Sequence, residues 1–294
     1  MYDDGFAVAV VDVDDAGSPS VTATRWFALR SGAETADALS AAVRELDLRG
    51  LPVVATLPHS AYSLVQLEAP ELDQEELREA MRWRVKDLID FPVEQAVIDV
   101  FPLPPSRRPG APSLLYAVVA QALDVDALAT AAHAAGLKVL AIDVVEMAIR
   151  NLSLHLDKPE RARAYLHLLP GQTIIEIADG AQVYLSRRVM QDFDADADIE
   201  LLRAQMENLA LEVQRSLDYF ESQYALGAAD KLSVIVCRDT LFEAFSQVAG
   251  AFLTVPTERF SFAGLETADG VELRVLGRGV TALGAALREL PWAA

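Results

Sequence analysis

Three aspartates crowd a short turn near the start of the chain, between two segments of β-strand character. The first segment reads AVAVVDV and the second SVTAT, and Asp12, Asp14 and Asp15 lie where the first one ends. An apolar run, a turn with glycine and proline, and a β-branched return run predict a β-hairpin. One hypothesis is that these acids hold Mg²⁺ for a nucleotide whose phosphates the hairpin cradles. The other hypothesis is that the three aspartates have only a structural role in the turn.

Other residue types that commonly perform chemistry show no spacing that would assemble a site. The four histidines form no i, i+4 pair and have no cysteine neighbour, so we expect no zinc site. They are His59, His133, His155 and His167. Cys237 ends the apolar run LSVIVC, which predicts a buried, reduced thiol, and no serine lies in a nucleophile elbow. We therefore expect neither an enzyme nor a metal centre.

Composition limits the class of protein and its partners. The chain has 294 residues, 52% of them hydrophobic, which suits one large globular domain or two of moderate size. It carries 25 basic against 44 acidic residues, a formal net charge of −19, which disfavours binding to nucleic acid or to anionic lipid. The amino terminus lacks the basic region of a secretory signal, and no apolar run has the length of a membrane span. We expect a cytoplasmic protein without direct membrane insertion.

The order of predicted elements indicates two α/β halves. The first half alternates strands and helices and contains an amphipathic helix over residues 70–90 that the Phe91-Pro92 pair stops. The second half begins near Glu160 with three strands separated by Pro170-Gly171 and Asp179-Gly180, and the latter pair is a strong hairpin signal. A long helix over residues 198–225 and a last helix over residues 280–290 follow. The pattern of the long helix is compatible with a homodimer but does not require one.

Three segments carry a resemblance to a known family. They are MRWRVKDLIDFPVEQAVIDVF (81–101), EVQRSLDYFESQ (212–223) and VTALGAALREL (280–290). In this order they resemble the PilM family of type IV pilus assembly proteins, most nearly its branch from the mannose-sensitive haemagglutinin pilus. The resemblance implies an α/β, actin-like (ribonuclease H-like) fold of two lobes. The implied first lobe is 1–158 with a small inserted subdomain at about 70–118, and the second lobe is 159–294 with the helix 280–290.

The resemblance also locates three nucleotide elements, each of which departs from the actin-like pattern. The first hairpin has acids where a glycine admits phosphate, and its return strand has no lysine. The second hairpin has His167 and Leu169 in place of an aspartate and a glycine, and Arg238 lies where a glycine pair packs the adenosine. The positions concerned are Asp12, Asp14, Asp15, His167, Leu169 and Arg238. We expect a degenerate site without a cofactor; the alternative is an ATP-binding actin-like protein that cycles or polymerises.

A partner-binding role is the function that the resemblance implies. The partner is a PilN-like single-pass inner-membrane protein, whose short N-terminal tail would lie extended between the inserted subdomain and the body of the first lobe. The protein would then be attached peripherally to the inner membrane through that partner. Candidates for lining the groove are Met81, Trp83, Val85, Leu88 and Phe91. For each of them a place in the hydrophobic core is an equally good interpretation.

Three basic residues on the same predicted helix have two interpretations. Arg78, Arg82 and Lys86 follow one another at i, i+4 and i+8 and so share one helical face. They could receive an acidic group of a partner, but nearby acids such as Glu79 could pair with them instead. We favour local pairing.

Overall fold

The computed structural model describes residues 4–14, 18–29, 35–156, 161–169, 171–191, 193, 198–262, 265–268, 271 and 278–288. The chain divides into two compact units. Unit 1 comprises residues 1–103, 112–152 and 266–294, and unit 2 comprises residues 104–111 and 153–265. Both units mix helices with sheets, as the order of predicted elements indicates.

The described residues form thirteen strands and seven α-helices. The strands are β1 Gly5–Val13, β2 Pro19–Ala28, β3 Pro52–Thr56, β4 Tyr62–Glu68, β5 Ala96–Pro102, β6 Leu114–Gln121, β7 Lys138–Asp143, β8 Arg163–Leu169, β9 Gln172–Asp179, β10 Gln182–Val189, β11 Leu232–Ile235, β12 Thr257–Arg259 and β13 Glu266–Thr267. The helices are α1 Thr35–Glu45, α2 Gln74–Val85, α3 Ala122–Ala134, α4 Val145–Leu156, α5 Ile199–Tyr224, α6 Asp239–Phe252 and α7 Val280–Ala286. None of these helices combines the length and the apolar content that crossing a bilayer requires.

Unit 1 contains the predicted N-terminal hairpin. Strands β1 and β2 pair antiparallel, β13 adds to β2 in parallel, and β3 pairs with β7 in parallel. Buried residues of α1 and α3, among them Val43 and Ala132, pack with partly buried Val8, Val10 and Val53 from the strands. The hydrophobic effect thus brings together helices and strands that lie far apart in the sequence.

The C-terminal segment belongs to unit 1, whereas the sequence predicts it in the second lobe. Helix α7 contacts β1 and β3, and its Gly284 lies against Ala148 of α4 so closely that a side chain there would collide with the Ala148 carbonyl oxygen. Asn151 donates its side-chain N–H to the carbonyl of Gly284 at 3.0 Å. Arg288 forms an ion pair with the buried Asp143 at 3.0 Å, which opposes the rise that burial causes in the pKa of Asp143.

Unit 2 is built on a five-stranded sheet of order β10-β9-β8-β11-β12. Its hairpin between β9 and β10 turns at Gly180, where φ is +55°, as the Asp179-Gly180 pair predicts. The long helix α5 begins where Asp198 accepts hydrogen bonds from the N–H groups of the first turn. Rings of Tyr184, Phe220 and Tyr224 meet between α5 and β10, and the Tyr224 hydroxyl donates to the Tyr184 carbonyl at 3.0 Å.

The close approach at Gly284 gives a test of how the C-terminal helix is held. Replacing Gly284 by Ala forces a methyl group against the backbone of α4, so we expect a loss of about 1–3 kcal/mol in stability, seen as a lower urea midpoint. The matched control is Gly250→Ala in α6, where nothing lies within 4 Å of an added Cβ. Helix propensity alone predicts that this control gains up to about 1 kcal/mol. Equal effects of the two substitutions would contradict the packing described.

Candidate functional site

Residues 62–103 and 112–121, here called the inserted subdomain, form a small sheet with one helix in unit 1. Strands β4, β6 and β5 lie side by side in that order, both pairs antiparallel. Helix α2 covers β5 and β6, and its first turn is capped by Asp73, whose carboxylate accepts the N–H of Glu76 at 2.9 Å. The subdomain is wider than the expected 70–118, because β4 and the end of β6 belong to the same sheet.

Met81 and Val85 are core residues of the inserted subdomain. Both are fully buried and cluster with Leu115, Ala117 and Val119 of β6. Residues four positions apart lie on the same face of a helix, so these two side chains fix α2 on the sheet. Of the two interpretations open for Met81 and Val85, the structure therefore supports the core role, since neither offers surface to a partner.

Trp83 and Leu88, by contrast, are exposed to solvent. Trp83 is 71% exposed and Leu88 is 55% exposed, both high values for large apolar side chains. Phe91 is half-buried and packs against the core of the subdomain. The sequence predicts a helix to Asp90, but α2 ends at Val85, so Leu88 and Phe91 lie in the corner that leads to β5. Exposed apolar groups next to a corner are the features of this surface that a partner could use.

The arginines of α2 are held within the subdomain, but among the described residues only Arg82 pairs with a neighbouring acid as favoured from the sequence, with Glu79 at 3.6 Å. Arg78 forms an ion pair with Asp99 of β5 at 2.9 Å. Arg82 donates to the carbonyls of Val93 and Ala96 at 2.8 and 3.3 Å. Arg84 similarly donates to a carbonyl at the end of β4. These contacts tie the helix to both edges of the sheet.

Strand β5 lies at an edge of the small sheet, where Arg82 donates to the Ala96 carbonyl and the Asp99 carboxylate accepts the N–H of Val100. Among the described strands it pairs with β6 alone, and its side chains alternate, with Val97 and Asp99 exposed between buried neighbours. An edge strand offers backbone donors and acceptors to an added strand. Val97 was not a candidate from the sequence, although the period-two pattern in AVIDVF carries the signal that would have found it.

In the first nucleotide element, Asp14 stabilises the turn between β1 and β2. The Asp14 carboxylate accepts the N–H of Ser18 at 2.7 Å, and the Asp14 N–H donates to the Ser18 carbonyl at 3.1 Å. The backbone N–H of Ser18 is thereby engaged by a carboxylate of the chain itself. Asp12 is exposed at the end of β1, opposite Ser20. Asp15 lies outside the described residues.

The second and third elements lie in unit 2. His167 and Leu169 are buried in β8, where they share a strand face with Tyr165, because side chains two positions apart point the same way. Burial raises the pKa of Tyr165 to about 12, which indicates a dry environment on this face. Arg238 is exposed and immediately precedes α6. Cys237 is exposed, so the predicted burial of its thiol is wrong; the buried run ends at Ile235.

Metal-ligand side chains give no site in the part of the chain that is described. No three His, Cys, Asp or Glu side chains there are grouped so that they could hold an ion. The three aspartates of the first turn extend beyond that part, since Asp15 is not described. The structure brings Asp12 and Asp14 to one hairpin, and in unit 2 it places His167 and Leu169 on β8 and Arg238 immediately before α6.

Comparison with known proteins gives structures but no sequence family. No family model matches the chain, and no curated protein matches it. The structure of a PilM–PilN type IV pilus biogenesis complex is similar over 98% of this chain and 96% of that chain, with a TM-score of 0.76 and 21% identity. A Bacteroides thetaiotaomicron protein of unknown function with an actin-like ATPase fold is similar over 96% and 93%, with a TM-score of 0.50 and 10% identity.

These similarities extend over nearly the whole chain, whereas the identities are low. They bear out the fold that the resemblance implies. The chain has the actin-like ATPase fold, in an α/β form with a small inserted subdomain.

Proposed function

We propose that this protein is a scaffold of a type IV pilus assembly complex, attached to the cytoplasmic side of the inner membrane through a partner. The observation that carries the proposal is the similarity to PilM over nearly the entire length of both chains. That relative was solved in a complex with PilN. The resemblance of three sequence segments to the PilM family supports the same assignment independently of the structure.

The proposed partner is the N-terminal tail of a PilN-like single-pass membrane protein. An extended tail would pair with the edge of β5 through backbone hydrogen bonds, and apolar side chains of the tail would contact Leu88 and Phe91 at the corner before that strand. Trp83 would add a large apolar contact on the outer side of α2, a residue type that often dominates interface energies. Met81 and Val85 hold α2 in place and do not contact the tail.

Electrostatics supports this choice of partner. The net charge of −19 attracts a basic segment and repels an acidic one over distances near the Debye length. Cytoplasmic flanks of membrane proteins carry an excess of Lys and Arg. A chain of this charge is therefore suited to approach the flank of such a partner although it is not suited to bind anionic lipid itself.

We propose further that the actin-like nucleotide site is degenerate and that the protein is not an ATPase. Phosphate binding in such hairpins needs backbone N–H groups that are free to meet the phosphate, together with a compensating cation. Here Asp14 accepts the N–H of Ser18, and a second acid, Asp12, stands on the preceding strand. An aspartate beside a phosphate adds about 1 kcal/mol of repulsion even at the dielectric constant of water.

Within the pilus assembly proteins, the finer proposal is a protein of the MshI type, from the mannose-sensitive haemagglutinin pilus. It is supported by the sequence segments named above. The competing function is an actin-like ATPase that cycles or polymerises. This alternative has to be tested because the chain retains the hairpins of the actin-like fold.

The tail-binding proposal predicts the effect of two exposed residues. A fluorescent peptide of the N-terminal tail of the PilN-like protein from the same organism is titrated against the whole chain by anisotropy. Trp83→Ala combined with Leu88→Ala is expected to weaken binding roughly tenfold or more, since central apolar contacts often contribute about 2 kcal/mol each. Folding should change by no more than about 0.5 kcal/mol per substitution, because both side chains are exposed.

The matched control is Leu123→Ala in α3, an apolar side chain of unit 1 that is 76% exposed but lies outside the inserted subdomain. This control variant should bind the tail peptide with the same affinity as the unchanged protein. Met81→Ala, by contrast, should lower stability by about 2–5 kcal/mol as a core truncation. Absence of binding to the unchanged chain, or equal loss in the double variant and the control, would refute the proposed site.

The degenerate nucleotide site predicts the outcome of thermal melting with millimolar Mg-ATP. A protein that binds ATP gains about 2.7 kcal/mol when the ligand is present at 100 times its dissociation constant. We expect no saturable rise in melting temperature, because the N–H group of the first hairpin is engaged internally. Mg-ADP and magnesium alone serve as controls. A saturable rise specific to the nucleotides would favour the ATPase alternative.

A further inference from the structure

A pocket of about 410 Å³ opens on unit 2 between the end of β10 and helix α5. It is open to solvent on one side and is not near the inserted subdomain in sequence. The described residues that line it come from two parts of the chain: Arg187, Arg188, Val189 and Gln191 at and just after the end of β10, and Asn208, Leu211, Glu212 and Arg215 on α5. None of these residues belongs to the three nucleotide elements or to the proposed tail site.

The described lining of the pocket is positive although the chain is strongly negative. Among the described residues, three arginines and one glutamate line it, whereas the whole chain has 44 acidic and 25 basic residues. Glu212 holds two of the guanidinium groups, with Arg187 at 2.6 Å and Arg215 on its other carboxylate oxygen. A guanidinium has five N–H donors, so one shared carboxylate leaves donors for an incoming acid. Glu212 thus positions two arginines without exhausting them.

Exposed apolar side chains surround the same pocket. Leu211 in its wall is 40% exposed, and Met190, between two lining residues, is 79% exposed. Leu201 is 55% exposed and lies one heptad before Asn208, on the face of α5 that carries Leu211 and Arg215. Arginine and methionine are enriched in protein interfaces, where apolar side chains form the centre. The composition fits a protein partner better than a small ion.

The backbone beside the pocket is also open. Strand β10 is the first strand of the five-stranded sheet, and among the described strands it pairs with β9 alone. Its last residues, Arg187 to Val189, form both the sheet edge and the pocket wall. A strand added along this edge would have its side chains alternate between the pocket and the opposite face.

Two simpler interpretations compete with a docking surface. Arginines on an edge strand can serve to keep other strands away, and an arginine cluster can hold a free phosphorylated compound. Small-molecule sites, however, enclose most of the surface of their ligand, and this pocket is open beside an exposed edge and exposed apolar groups. Asp198 is an acidic residue close to the pocket lining in sequence. Its carboxylate caps α5, where it accepts the N–H groups of Glu200 and Leu201.

We propose that this surface, formed by the end of β10 and the α5 face from Leu201 to Arg215, binds an extended segment of a partner protein that alternates acidic and apolar residues. Its acids would enter the pocket and meet Arg187, Arg188 and Arg215, and its apolar residues would lie on the opposite face of the added strand. The surface lies in unit 2 and does not depend on the tail-binding function proposed for unit 1.

The test uses a fluorescein-labelled octapeptide, (Val-Glu)₄, titrated against the whole chain by anisotropy. We expect saturable binding that weakens as salt is added, since the contact is largely electrostatic. Arg215→Gln and Arg188→Gln should each weaken it roughly tenfold. The matched control is Arg203→Gln, which removes the same charge from α5 but breaks only an exposed pair with Glu207 at 3.0 Å; it should bind like the unchanged protein. Hydrogen exchange should slow in β10 on binding and remain unchanged in β12, the other edge of the sheet.

Several outcomes would overturn the proposal. They are the absence of saturable binding, equal binding of a (Val-Lys)₄ peptide, or an equal loss in the Arg203 control and the two pocket variants. Displacement of the peptide by inorganic pyrophosphate at a similar concentration would identify a small-anion site instead. Thermal melting of each variant shows whether it is folded. If Arg215→Gln is not folded, Arg188→Gln decides the question.

Discussion

The packing of α2 on its sheet is the constraint on which the proposed interaction of the inserted subdomain depends. Met81 and Val85 are fully buried against β6, and the helical repeat of 3.6 residues then fixes the direction of every other side chain on α2. Trp83, two positions from each of them, must face solvent, and Arg78 and Arg82 reach the β5 side. Removing either core side chain would therefore loosen the surface as well as the core.

Much of the architecture is predictable from local sequence patterns. The N-terminal hairpin, the turn at Gly180 and the long helix α5 follow from alternation, turn residues and helical spacing. The place of the C-terminal segment does not, because β13 has only two residues and pairs with β2, more than two hundred positions away. Contacts of that range leave no periodic signal, and the close approach of Gly284 to Ala148 shows only in three dimensions.

The candidate sites were predictable to different degrees. Composition suggests that the five apolar candidates of the inserted subdomain belong together, but it does not separate core from surface, since Met81 and Trp83 are both apolar. The early end of α2 at Val85 decides that Leu88 lies in a corner. In unit 2, His167 and Glu176 are buried polar residues in strands, which an apolar pattern cannot reveal. The arginines of the unit-2 pocket come from β10 and α5, more than twenty positions apart in the sequence. Neither the overall composition nor a local pattern therefore reveals this positively charged cluster.

Hydrogen exchange is a direct test of the proposed tail site on β5, because a strand added to a sheet edge protects specific backbone amides. The whole chain is compared with and without a saturating peptide of the PilN-like N-terminal tail. We predict slower exchange in β5 and in the corner from Lys86 to Pro92, with little change in α3. Binding that leaves β5 and this corner unprotected, or protects only unit 2, would contradict it.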